Sequence, residues 1–292
     1  MKSKYSISED IKEFTSDFDR VANDEDSNFD LVDVKYANGI WFGAYGDNIG
    51  KPKLYANYTA WNYEPSFSGF LEEIESRQDR RYELTDVEYT DDGGWFGVFA
   101  SAEVDSKLIT AETMAGIDEQ VEELQALDPD DTFQYQIVDL EYTDDFIVGV
   151  LNSTHKDAAY TTSEDFEEFE LEVQRQQDEG LELINLEYVD GEFVGIFDSE
   201  LRGESIYSPE PHADLDDFTD EILDNRRDGY DLLNIESIDG DWFGIYKENT
   251  DPTDDIITPS DRASDPGDII RSQLLTDINS NTSQIFADSL DF

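Results

Sequence analysis

The chain has 292 residues and no cysteine, which excludes disulfide bonds, thiol catalysis and cysteine-ligated zinc. Asp and Glu number 73 against 19 Lys and Arg, and the formal net charge of −54 excludes electrostatic attraction to nucleic acid or to anionic membranes. No run of about 18 apolar residues occurs, so no membrane-spanning helix is predicted.

The acidity has two open interpretations: a surface adapted to high salt, and a surface that binds Ca²⁺ weakly. Either surface attracts cations and basic partners. Residues 1–10 contain no apolar segment of the kind found in a secretory signal peptide. The sequence therefore predicts a cytoplasmic protein, or one exported by a route without such a signal.

In chain order, five similar units are predicted at about 4–46, 53–100, 106–151, 158–198 and 205–247, which together form a domain over 1–248. Each unit reads as a short strand, a helix and a pair of strands, because apolar residues recur at helical spacing and then alternate. The short strands are expected at 5–7, 54–58, 107–109, 159–161 and 205–207. Repeats of roughly 50 residues bury their apolar faces on neighbouring repeats. The predicted fold class is α+β, a tandem array of five strand-helix-strand-strand repeats.

The strand pairs are predicted to be antiparallel β-hairpins at 31–45, 84–99, 137–151, 183–197 and 232–246. Pairs such as Asp190-Gly191 and Asp239-Gly240 favour the tight turns that need positive φ. Counting back from each turn pairs Tyr36 with Trp41, Val34 with Gly43, and Val32 with Tyr45. The glycine position recurs in every unit, and a glycine inside a strand indicates that another element approaches closely. These glycines are Gly43, Gly97, Gly149, Gly195 and Gly244.

The opposite face of each hairpin carries a recurring pair of polar residues. The pairs are Asp33 and Lys35, Asp86 and Glu88, Asp139 and Glu141, Asn185 and Glu187, and Asn234 and Glu236. If the units stack, these carboxylates approach one another, and a hard divalent cation would relieve the repulsion. Asp86, Glu88, Asp139 and Glu141 are therefore weak candidates for a Ca²⁺ site.

No catalytic motif is predicted. Residues 24–28 have the acidic spacing of an EF-hand, but Phe29 and Lys35 stand where the motif needs Gly and Glu, so we reject it. His155 and His212 are both expected in loops, and no metal-ligand spacing joins them. A carboxylate pair suited to hydrolysis remains an alternative, although two neighbouring acids mean little in a chain with 73 of them.

The fifth unit carries a more specific pattern, a helix followed by Gly229-Tyr230, a hydrophobic strand, Gly240 and Trp242, and the second unit repeats part of it with Tyr82 and Trp95. Over residues 4–247 this pattern resembles two groups of tandem repeats. One is the bacterial tandem repeat domain at the N-terminus of polyglycine hydrolases and related β-lactamase-like secreted proteins, and the other lies next to some kinase domains. The resemblance implies an accessory binding or positioning module and assigns no catalytic residue. The chain departs from both groups in its far greater acidity.

Residues 249–292 are predicted to form an acidic linker or tail. The segments 261–268 and 288–292 are similar to the opening of pre-peptidase C-terminal domains, which belong to exported proteins, and this resemblance implies a second module cut short at Phe292. For the whole chain, the sequence favours a non-enzymatic acidic scaffold that binds a protein or carbohydrate surface. A hydrolase with a carboxylate pair, or an accessory module of a secreted hydrolase, is the alternative.

Overall fold

The computed structural model describes residues 3–22, 29–47, 59–90, 93–101, 105–127, 133–143, 145–155, 158–199, 205–208 and 210–248. Within them the chain repeats a strand–helix–strand pattern, and each repeat is called a unit below. Unit 1 holds β1 (Ser3–Ser8), α1 (Ile11–Ala22), β2 (Phe29–Ala37) and β3 (Ile40–Asp47), and unit 2 holds β4 (Thr59–Glu64), α2 (Phe67–Gln78), β5 (Tyr82–Tyr89) and β6 (Trp95–Ser101). Unit 3 holds β7 (Ser106–Ala111), α3 (Met114–Leu127), β8 (Phe133–Tyr142) and β9 (Ile147–His155). Unit 4 holds β10 (Ala158–Ser163), α4 (Phe166–Asp178), β11 (Glu182–Val189) and β12 (Glu192–Asp198), and unit 5 holds β13 (Ser205–Tyr207), α5 (Leu215–Arg227), β14 (Tyr230–Ile238) and β15 (Asp241–Glu248).

The predicted α+β class is confirmed. Each unit forms a three-stranded antiparallel sheet in which the second hairpin strand lies between the other two, as in the order β1-β3-β2. The tight turns have the predicted backbone, since Asp190 and Gly191 have φ of 51° and 85°, and Asp239 and Gly240 have φ of 53° and 89°. The strand predicted at 54–58 lies outside the described residues, and β4 is the strand that pairs in unit 2.

A β-bulge at one recurring position corrects the predicted hairpin register. Tyr36 pairs with Trp41 and Val34 with Gly43 as predicted, but Tyr45 pairs with Leu31 and not with Val32. The same shift occurs in all five hairpins, between Leu31/Asp33, Leu84/Asp86, Ile137/Asp139, Leu183/Asn185 and Leu232/Asn234. The extra residue re-aims the strand just before the recurring polar pair.

The units close into a ring. The first hairpin strand of each unit is its inner strand, and inner strands contact one another in the order β2, β5, β8, β11, β14 and back to β2. Units 1 and 5 are therefore neighbours in space although they stand at opposite ends of the described chain. Asn38 in the first turn donates a hydrogen bond from Nδ2 to the carbonyl of Gly240 in the last, at 2.5 Å. Radial repetition of this kind leaves only short, protected sheet edges.

The hydrophobic cores lie between neighbouring units. Phe96 of unit 2 packs against Phe14 of α1 and Trp41 of β3, with ring centroids 6.0 and 5.1 Å apart. At the seam between units 1 and 5, Phe42 of unit 1 packs against Phe218 and Trp242 of unit 5. Each unit thus covers the apolar face of the one before it, and unit 1 covers unit 5. No helix in the described part of the chain is long and apolar enough to cross a membrane.

The recurring strand glycines are buried, and four of the five, Gly43, Gly97, Gly195 and Gly244, lie against aromatic side chains as predicted. A Cβ added at Gly43 or Gly97 would lie 2.9 or 2.7 Å from the ring of Phe14 or Phe70, each on the helix of the same unit. At Gly195 it would lie 2.9 Å from the rings of both Phe169 and Phe197. Gly43, Gly97 and Gly195 therefore let a phenyl ring of the helix rest on the sheet.

Replacing Gly195 with Val should lower the free energy of unfolding by about 1–3 kcal/mol, because the added methyl groups collide with two rings that have no room to move. Urea denaturation followed by circular dichroism measures this. Gly149→Val is the matched control, because the nearest atoms there belong to Ile109 and Leu140 at 3.1 and 3.4 Å and these aliphatic chains can turn away. An equal or larger loss at Gly149 would contradict the ring-contact explanation.

Candidate functional site: a carboxylate cluster on the ring axis

The five inner strands bring their recurring polar pairs together on the axis of the ring. Residues two apart on a strand share a face, so the pairs form two layers along that axis. The aspartate layer consists of Asp33, Asp86, Asp139, Asn185 and Asn234, and the glutamate layer consists of Lys35, Glu88, Glu141, Glu187 and Glu236. All ten residues are buried, with relative exposures between 2% and 9%.

The aspartate layer joins neighbouring units through the free edges of their inner strands. The backbone N–H of Val34 donates to Asp86 Oδ2 at 3.1 Å, and that of Val87 donates to Asp139 Oδ2 at 2.6 Å. Across the seam, the N–H of Ile235 donates to Asp33 Oδ2 at 2.6 Å. Each acceptor belongs to the next unit around the ring, so the layer satisfies amides that the three-stranded sheets leave unpaired.

Amides fill the same layer in units 4 and 5. Asn234 Oδ1 accepts from the N–H of Leu186 at 3.3 Å, as the aspartates do. Asn185 instead donates from Nδ2 to the carbonyl of Val138 at 3.1 Å. A neutral side chain with a carbonyl oxygen can therefore do the work of a carboxylate at this position.

The glutamate layer surrounds a single ammonium group. Lys35 Nζ lies 3.1 Å from Glu88 Oε1 and Glu236 Oε2, and 3.6 Å from Glu141 Oε2 and Glu187 Oε2. Lys35 comes from unit 1 and the four glutamates come one each from the other units. An ammonium has three N–H donors, so it cannot satisfy four carboxylates at once. Among the described residues, Glu141 Oε2 and Glu236 Oε2 receive no hydrogen bond.

The attraction of four carboxylates keeps the lysine charged. Burial lowers the pKa of Lys35, but Glu141, Glu236, Glu88 and Glu187 raise it by more, so that it lies well above its ordinary value. The ammonium therefore serves as a built-in cation at the centre of the ring.

Burial has the opposite consequence for the carboxyl groups, because it favours their neutral form. It raises the pKa of Asp33 to about 7 against the hydrogen bond from Ile235, and that of Glu141 to about 7 against the charge of Lys35. Burial is also the main reason that the pKa of Asp86, Glu88 and Glu187 lies well above the ordinary range and that the pKa of Asp139 is raised.

Two pairs of carboxyl groups lie close enough for one to affect the pKa of the other. Asp86 hydrogen-bonds Asp33, and the contact raises the pKa of Asp86 while it lowers that of Asp33. Glu187 contacts Asp139 in the same way, and this contact raises the pKa of Glu187 and lowers that of Asp139. Two ionised carboxylates cannot hydrogen-bond each other, so a hydrogen bond in either pair requires a proton on one of its members.

The predicted calcium candidates all lie in this cluster, where protein groups contact them. Asp86 and Asp139 accept backbone N–H groups, and Glu88 and Glu141 lie beside Lys35. In the described part of the chain, no group of three or more His, Cys, Asp or Glu side chains is arranged to hold a metal ion. The Ca²⁺ site therefore stays a prediction. The ammonium of Lys35 lies among the glutamates that would have to bind the ion.

Sequence reasoning missed the role of Lys35. The signal was present, because Lys35 is the one basic residue in a column that reads Glu in the four other units. A single basic residue at a position that is acidic in every other unit indicates that these side chains meet in the fold, with the acidic groups around the basic one.

Of the two histidines, His212 has side-chain contacts that the structure describes, and they do not place a serine hydroxyl beside its imidazole. His155 lies in strand β9 and pairs with Phe133, so the prediction of a loop is wrong there, because β8 and β9 extend further than the sequence suggested. His212 hydrogen-bonds Glu221 through Nε2, and Ser208 Oγ donates to the other oxygen of Glu221 at 2.6 Å. The carboxylate thus separates the imidazole from the hydroxyl, whereas a serine nucleophile needs the imidazole beside it.

No protein-family model matches the sequence, and no curated protein matches it either.

Replacing Lys35 with Met should lower the free energy of unfolding by about 3–5 kcal/mol, because four buried carboxyl groups lose their cation. The loss should be smaller at pH 5 than at pH 8, since protonation of the glutamates removes the same repulsion. Urea denaturation at both pH values measures this.

Lys107→Met is the matched control, because Lys107 is exposed and lies over the ring of Tyr135 at 5.9 Å. It should change stability by no more than about 0.5 kcal/mol. A similar, pH-independent loss in both variants would show that Lys35 contributes only packing.

Calcium and magnesium at equal ionic strength should raise the melting temperature alike, because both act by screening and the ammonium of Lys35 already stands between the glutamates. Differential scanning calorimetry measures the two shifts. A large shift specific to Ca²⁺, abolished by Asp139→Asn with Glu141→Gln, would show that the cluster coordinates the metal after all.

Proposed function

We propose that the protein is a non-enzymatic scaffold, built from five copies of one strand-helix-strand-strand repeat, that binds a basic protein surface. The observation that carries this proposal is the separation of its acidic residues into two sets. The buried set on the axis is engaged with Lys35 and with backbone amides. The exposed set, much of it on the helices, leaves a surplus of negative charge facing solvent.

The helix surfaces show this surplus clearly. On α4 and α5 the exposed acids include Glu167, Glu168, Asp178, Asp216, Asp217, Asp220 and Asp224. The cations beside them are few and already paired, since Arg175 contacts Glu172 and Glu179, and Arg227 contacts Asp224. Complementary charge speeds encounter and excludes partners of like charge, so such a surface selects a basic partner.

A carbohydrate surface is the weaker partner class. Sugar rings stack on exposed aromatic side chains, and in the described part of the chain the large exposed hydrophobic residues are Leu71, Tyr142 and Leu171. Only one of these is aromatic. The acidity itself also supports a second use, the solubility of the protein in high salt, which requires no partner.

A hydrolase is the alternative function. The observation that favours it is the buried pair Asp33 and Asp86, whose carboxyl groups contact each other as those of catalytic carboxyl pairs do. Against it, the two residues are 7% and 5% exposed, and each also accepts a backbone N–H. Structural networks perturb pKa values as well, and this pair is fully accounted for by its role in joining the units. An accessory module of a secreted hydrolase, as the repeat resemblance implies, is compatible with the scaffold proposal.

An oligolysine peptide should bind the protein, and an oligoglutamate peptide of equal length should not. The affinity for oligolysine should fall steeply as NaCl is raised, because exposed charges are screened. Isothermal titration calorimetry measures both peptides.

Two charge-matched variants locate the surface. Asp216, Asp217 and Asp220 of α5 are changed to Asn in one, and Glu119, Glu122 and Glu123 of α3 are changed to Gln in the other. Weaker binding in one variant alone identifies a defined binding face, and equal weakening in both identifies a diffuse one. Equal affinity for the two wild-type peptides, or none for either, would refute the proposal.

A further inference from the structure

We propose that the axial cluster is a proton-operated latch: the closed ring holds protons on its buried carboxyl groups, and raising the pH releases them and opens the ring at the seam between units 1 and 5. The latch is independent of the partner proposed above.

The composition of the cluster requires bound protons. Strand β2 contributes Asp33 and Lys35, β5 contributes Asp86 and Glu88, and β8 contributes Asp139 and Glu141. Strands β11 and β14 add Glu187 and Glu236, together with the uncharged Asn185 and Asn234. Seven carboxyl groups therefore face one ammonium in the interior. Unpaired charges are not stable there, and the groups neutralise by binding protons instead.

The contacts indicate two places for those protons. Asp86 contacts Asp33 and Glu187 contacts Asp139, and a hydrogen bond in either pair needs a proton on one of its two members. Burial raises the pKa of Asp33 and of Glu141 to about 7, which places the loss of protons near neutral pH.

The sign of the pH dependence follows from these raised values. Between the unfolded pKa of about 4 and the folded pKa, the closed ring binds more protons than the unfolded chain, so stability falls as pH rises. Each extra proton corresponds to a tenfold change in the unfolding equilibrium constant per pH unit. The stabilisation is present at low pH and is lost as pH rises through about 7 and above.

The seam between units 1 and 5 is the place where the ring opens. The other neighbouring units are consecutive in the chain, whereas units 1 and 5 stand at opposite ends of its described part and are held together by contacts across the seam. Three of these contacts are polar: Ile235 N–H to Asp33 at 2.6 Å, Asn38 to Gly240 at 2.5 Å, and Lys35 to Glu236 at 3.1 Å. No short chain segment connects units 1 and 5, so repulsion among the deprotonated carboxylates separates these two units first.

The chain itself supplies a matched pair of variants. Asn234 shows that an amide fits the aspartate layer and accepts the same kind of backbone hydrogen bond. Asp86→Asn removes one titrating group with little change in shape, and Asn234→Asp adds an eighth carboxyl group. Asp220→Asn on the exposed face of α5 is the surface control.

The first experiment measures urea unfolding of all four proteins between about pH 5 and 9 in about 1 M NaCl, where the Debye length is about 3 Å and surface repulsion is screened. Wild-type stability should fall with pH, less steeply in Asp86→Asn and more steeply in Asn234→Asp. Asp220→Asn should keep the wild-type slope. A flat wild-type profile, or one slope shared by all four proteins, would overturn the proposal.

A second measurement needs no variant. Calorimetric unfolding of the wild type near neutral pH, in buffers of different ionisation enthalpy, counts the protons that move. Net release of protons on unfolding supports the latch, and zero release or net uptake refutes it.

Hydrogen exchange then tests the site of opening. With rising pH, and after correction for the intrinsic rate, protection of the Ile235 amide should fall before that of Val87, which makes the equivalent bond between units 2 and 3. Simultaneous loss at both amides would refute opening at the seam.

Discussion

Each sheet ends at the axis with the free edge of its inner strand, and the closed ring depends on how that edge is satisfied. Unpaired edge amides cost free energy when buried and attract other strands when exposed. Here the next unit accepts them through a side chain, as Asp86 does for Val34 and Asp33 does for Ile235. Units are thus joined by side-chain acceptors in place of a continuous sheet, which lets each sheet turn away from its neighbour and leaves room for a hydrophobic core between them.

This solution brings many carboxyl groups into one buried place, and the structure lowers their total charge in three ways. Asn185 and Asn234 replace two carboxylates by amides. Lys35 supplies one ammonium. Protons neutralise others, because burial favours the neutral form of carboxyl groups such as Asp86 and Glu187. The three devices differ in how they respond to the solution, because only the protons leave when the pH rises.

Local structure was largely predictable from the sequence, and the closure of the ring was not. The turn at Asp239-Gly240 and the glycine at Gly195 each follow from local rules on φ and on the space around a glycine. The bulge at Leu31 and Val32 does not, since both residues are apolar and an alternating pattern does not show where an extra residue enters. The same repeat pattern in the sequence also fits an open linear array and a closed ring, so it does not predict closure. Phe42 is covered by Phe218 and Trp242, which are far from it in the sequence, and a local pattern does not show such a contact.

Placing the single cation on a strand of the ring has an effect that a free ion would not have. Lys35 reaches the axis only when unit 1 is docked between units 2 and 5, so its availability depends on closure and not on the ions in solution. An incomplete stack of units 2 to 5 would bring four glutamates together without their ammonium. A buried ion pair adds little stability over apolar packing, but removing one partner is costly. The cluster therefore acts mainly against partly assembled states, and it favours a ring that is closed with all five units in place.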